Sequence, residues 1–104
     1  MKINMYAVYD VKADVYGQIF NLVNDDVAKR VLVPTVNNPE HNYGMFPEDF
    51  YLTKIGTYDD STGIIQSDLK PICKLDELKK EAIEKQHNAE IRNNALHEVD
   101  TNAK

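Results

Sequence analysis

Six tyrosines and three phenylalanines make up the aromatic set of this 104-residue sequence, and all nine fall between Tyr6 and Tyr58. Rings on an open sheet face can stack the bases of a single nucleic-acid strand, worth about 1–3 kcal/mol per base and independent of a positive net charge. As a strand, residues 3–10 place Ile3, Met5, Ala7 and Tyr9 on one face and Asn4, Tyr6, Val8 and Asp10 on the other; Phe50 and Tyr51 divide in the same way. With aromatics on both faces, a few remain for the exposed side. Tyr6, Tyr9 and Tyr51 are the stacking candidates, and Lys12, Lys54, Lys79, Lys80 and Arg92 are the cations that could meet phosphates. The competing reading packs these rings in the core or scatters them singly, which is normal for surfaces, and on residue types alone it is the stronger one.

Other chemistry finds little footing. Cys73 is the one cysteine, so no internal disulfide forms, and His41, His87 and His97 give it no familiar local base. An inert thiol, packed or half-exposed, is expected. Asp59 and Asp60 are adjacent, so in a strand they point to opposite faces, and turn chemistry explains them better than a metal site. His87 and His97 stand ten residues apart rather than at i, i+4, which disfavours a metal pair. With no phosphate loop and no nucleophile elbow, the sequence predicts a non-enzyme without catalytic residues, metal or cofactor.

The elements that would position the rings follow from local patterns. After the strand over 3–10, Asp14 and Gly17 are turn formers, and residues 18–23 return as a second strand. Asn24 stands at an N-cap position with Asp25 and Asp26 in the first turn, so a helix starts here. Val27, Ala28, Val31 and Leu32 give it an apolar face, and Pro34 is expected to kink or stop it near Val33. Residues 37–47 read as a surface loop. Residues 50–58 read as a strand with a bulge near Gly56, and residues 58–65 as the turn of a second hairpin. Pro71 is expected to end the sheet.

From Leu75 to Val99 there is no Gly or Pro, which predicts a long C-terminal helix. Leu75, Leu78, Ala82, Ala89 and Leu96 share a stripe interrupted by Lys85 and Arg92. Its polar second half would be a marginal helix alone, so a homodimer is expected, with Leu78, Ala82, Ala89 and Leu96 as its contacts. The predicted architecture is a two-layer α+β domain. A sheet of about four antiparallel strands, in two hairpins, packs on a short helix within residues 1–72, and residues 73–104 form the long helix as docking or oligomerisation element.

Length and charge bound these readings. At 104 residues there is room for one core, and 17 acidic against 12 basic side chains give a net charge of −5. Through Lys70 there are six basic and ten acidic residues; from Pro71 on, six and seven. Any nucleic-acid contact must be local. Hydrophobic and charged shares of 42% and 28% are those of a soluble globular protein, no run reaches the length of a membrane span, and the opening MKINMYAVYD lacks the layout of a signal peptide. The chain is expected to stay in the compartment where it is made.

One resemblance adds to this. The run Pro47-Glu48-Asp49-Phe50-x-Leu52-x-x-Ile55-Gly56-x-Tyr58-Asp59-Asp60-Ser61-Thr62-Gly63, preceded by Val36-Asn37-Asn38-Pro39-Glu40 and by Tyr6-x-Val8-Tyr9-Asp10-x-Lys12-Ala13, resembles the small non-structural proteins of gokushovirus-type microviruses, which are single-stranded DNA phages. The likeness covers residues 6–63. It implies a protein of the host bacterial cytoplasm that binds single-stranded DNA during genome replication and progeny-strand synthesis, and it brings no catalytic residues. A second expectation is an adaptor that engages host or phage replication or defence proteins through its acidic surface, by the long helix or the 37–47 loop.

Overall fold

The computed structural model describes residues 1–79. Five antiparallel strands form one sheet: β1 (Lys2–Asp10), β2 (Val15–Tyr16), β3 (Phe20–Leu22), β4 (Phe50–Asp59) and β5 (Ile65–Lys74). Between β3 and β4 come α1 (Asp25–Val36), the four-residue α2 (Asn42–Met45) and a 3-10 turn, Pro47–Asp49. Strand order is β2-β1-β4-β5, with β3 on the same flank of β1 as β2.

This corrects the expected architecture. The chain is mostly a five-stranded sheet with short helices, and of the predicted long C-terminal helix only residues 75–79 are described as helical; its remainder lies outside the described residues. The fifth strand arises because the returning run after β1 breaks in two. Tyr9 pairs with Tyr16 and Tyr6 with Phe20, while Gly17 donates its backbone N–H to Val8 between them (2.8 Å). Leu75 and Leu78 are core residues, so the packed unit runs past residue 72.

The core lies on one side of the sheet. Tyr6 and Val8 from β1, Leu52 from β4 and Cys73 from β5 meet Ala28, Leu32 and Val36 of α1, with Phe50, Leu75 and Leu78. Asn24 caps α1 as its type predicts, its side chain accepting from Val27 N–H at 2.9 Å. Pro34 does not end the helix, which continues to Val36. The missing N–H falls in the last turn on the exposed face, while Val36 is fully buried and Val33 packs on the core, which holds the turn in place. The 37–47 segment is more ordered than a loop: His41 Nδ1 accepts from Tyr43 N–H and starts α2, and the Tyr43 ring lies 4.8 Å from that of Phe50.

The second hairpin forms as expected. Asp59 accepts Gly63 N–H through its carbonyl and Ser61 N–H through its carboxylate. The irregularity near Gly56 is also present, between Lys54 and Gly56, where a Cβ on Gly56 would stand 2.1 Å from the Gln66 carbonyl oxygen. Pro71 departs from expectation: it sits inside β5, opposite Thr53, beside a second register shift. At a sheet edge a proline costs no ladder bond on its outer side, so the strand continues to Lys74.

Candidate functional site

Alternation along the strands assigns the residues opposite the core. With Tyr6, Val8, Leu52 and Cys73 on the α1 side, Ala7, Tyr9, Tyr51 and Thr53 lie on the other, joined by Pro71, which the β4–β5 register shift sets opposite Thr53. The ladder then sets four residues side by side across four strands: Tyr16 on β2, Tyr9 on β1, Tyr51 on β4 and Lys74 on β5. The Tyr9 and Tyr16 rings are 4.7 Å apart and tilted by 39°. Lys74 Nζ lies 5.7 Å from the centroid of the Tyr51 ring, a cation–π distance.

The next row, Ala7, Thr53 and Pro71, is low. Thr53, 3% exposed, is the one polar residue among the buried side chains described. Tyr9, Tyr16, Tyr51, Thr53, Leu69 and Pro71 line a hollow of about 370 Å³. The hydroxyl of Tyr9 donates to Asp14 in the β1–β2 turn, which fixes the ring, and this bond above all holds the phenol proton and raises its pKa above the ordinary value. Asp14 has φ of 57°, and Asp10 closes the same turn by accepting from the N–H groups of Lys12 (3.0 Å) and Ala13 (3.1 Å).

The candidate residues thus separate. Tyr9 and Tyr51 come together on the open face. Tyr6 does not join them: it is fully buried and its hydroxyl donates to Asp25 at 2.7 Å. Lys12 is exposed in the β1–β2 turn. Lys54 faces the other side, 3.8 Å from Asp68, and Lys79 donates to the Gly44 carbonyl at 3.3 Å. Leu78 is buried in the chain's own core rather than presented for assembly. Lys80, Arg92, Ala82, Ala89 and Leu96 lie outside the described residues.

Tyr16 and Lys74 were not among the candidates. For Tyr16 the signal was its place after the Asp14 turn, which returns it opposite Tyr9; for Lys74, a strand that continues past Pro71. Among the described residues no group of three or more His, Cys, Asp or Glu side chains could hold a metal, and no helix is long and apolar enough to cross a membrane.

Residues 3–78 match the model of a phage protein family described as Phage ORF5 protein. The chain belongs to this family. The ORF5 match takes in β1 from Ile3 onward, the other four strands whole, and every residue of the tyrosine row and hollow, together with Lys74. No curated protein and no solved structure matches the chain.

Proposed function

We propose that this phage protein binds single-stranded DNA on the open sheet face, as a non-enzymatic accessory of genome replication and progeny-strand synthesis in the host bacterial cytoplasm. The observation that carries the reading is the row Tyr16, Tyr9, Tyr51 and Lys74 laid across four strands on the side away from the core. Ring faces bind any base, and a strand needs few cations when stacking supplies the affinity. The net charge of −5 is compatible with such a site and with no broad electrostatic one. The resemblance of residues 6–63 to microvirus non-structural proteins supports the replication setting.

Fluorescence anisotropy of a labelled single-stranded oligonucleotide at low salt tests it. Binding is expected in the micromolar range, weakened about tenfold in Tyr9→Ala and in Tyr51→Ala. No binding at tens of micromolar protein would sink the reading.

A second reading, a protein adaptor, draws on one observation: Met45 and Phe46, at the end of α2, are 47% and 51% exposed. A Met45→Ser/Phe46→Ser double variant separates the two, because oligonucleotide affinity stays unchanged if the tyrosine row is the site.

A further inference from the structure

Three features outside the core could carry more. The exposed pair Met45 and Phe46 has nothing that identifies its occupant, and the β5 edge is interrupted by Pro71 and two register shifts, which oppose strand addition. The hollow beside the tyrosines goes further. From it we infer that the site takes one unpaired base at a time and that Lys74 receives a phosphate next to that base. This rests on the single-stranded DNA reading and gives it a unit and a polarity.

The size and walls set the unit. About 370 Å³ is near the lower end of the roughly 300–1,000 Å³ of ligand sites, enough for one nucleoside. Strand order places Tyr9 and Tyr16 on one side of the Thr53 floor and Leu69 and Pro71 on the other, with Tyr51 at the end. A flat ring fits between an aromatic wall and an aliphatic one, and the Thr53 floor offers a hydroxyl to a base edge. Bases inside a duplex reach such a hollow only by leaving their stack, so the site selects single strands.

Charge sets the polarity. At the β1–β2 end the turn sets the carboxylates of Asp10 and Asp14 against one ammonium, that of Lys12, a net negative charge that disfavours a phosphate, and Asp14 already accepts the Tyr9 hydroxyl. At the β5 end stands Lys74, the described lysine whose ammonium lies over a ring of this row. Lys54 and Lys70 are on the opposite face, 3.8 and 3.6 Å from Asp68. One phosphate contact follows, with a slope of log affinity against log salt of about −0.7.

The test compares a labelled oligothymidylate with an abasic strand of equal length and phosphate count, over a salt series. The protein is expected to bind the oligothymidylate about tenfold more tightly, with the shallow slope above. Lys74→Gln, checked for its fold by circular dichroism, should flatten the slope toward zero; Tyr51→Ala should weaken binding with the slope kept. Equal affinity for the two strands overturns the base hollow while the single-stranded DNA reading stands. A slope unchanged in Lys74→Gln overturns the role of Lys74. Absence of binding to both strands overturns this inference and the reading beneath it.

Discussion

Tyr6 and Tyr9 stand three positions apart on β1 and each gives its hydroxyl to a carboxylate, yet the two do different work. Odd spacing sends Tyr9 to the open face, and sends Tyr6 into the core, where its ring stacks on Phe20 at 6.0 Å. Burial first, then the bond to Asp25 and the charge of that carboxylate, raise the Tyr6 phenol above the ordinary 10.0. Because the folded value is the raised one, this contribution to stability is fully present below about pH 10 and is lost as the pH rises further. The thermal midpoint is expected to fall on the alkaline side, and Tyr6→Phe should remove part of that fall. At neutral pH the same substitution should cost about 1.5–3 kcal/mol in urea denaturation, the worth of a hydrogen bond to a charged group. A midpoint unchanged in Tyr6→Phe would show that the Asp25 contact is not made.

Among the elements, the segment between α1 and β4 depends most on a single position. A Cβ on Gly44 would stand 1.9 Å from the Asn38 carbonyl oxygen, a backbone atom that cannot swing away. Gly44→Ala is expected to cost about 1–3 kcal/mol and to loosen Tyr43 from Phe50, readable as a lower urea midpoint with increased tyrosine fluorescence change. Segments governed by local chemistry were legible in the sequence: the Asn24 cap, the Asp59–Gly63 turn and the bulge at Gly56 each follow from one or two residues. Segments governed by distant packing were not. Pro34 read as a kink or stop and Pro71 as the end of the sheet, but Val36 and Cys73 are drawn into the core beyond them. The same limit applies to the site. Alternation split Tyr6 from Tyr9 and Phe50 from Tyr51, but it could not say which face α1 would cover, so Tyr6 stood among the candidates with Tyr9 and Tyr51. Tyr16 and Lys74 were hidden by the turn and the proline that precede them.

At the scale of the molecule, the described residues form a sheet covered on one side by short helices. Its two flanks are both blunt: β2 and β3 are two and three residues long, and β5 carries a proline and two register shifts. An uninterrupted β5 edge, with Ile65 and Leu69 exposed, would present a longer row of unpaired backbone groups to another strand. Pro71, which has no N–H to donate, breaks that row. Pro71→Val is expected to shorten the lag of thioflavin T fluorescence growth at elevated temperature, whereas an equal lag would assign that protection to the charge of −5 instead. The residue that reads as the end of the sheet thus lies inside its edge strand, where it opposes the addition of another strand.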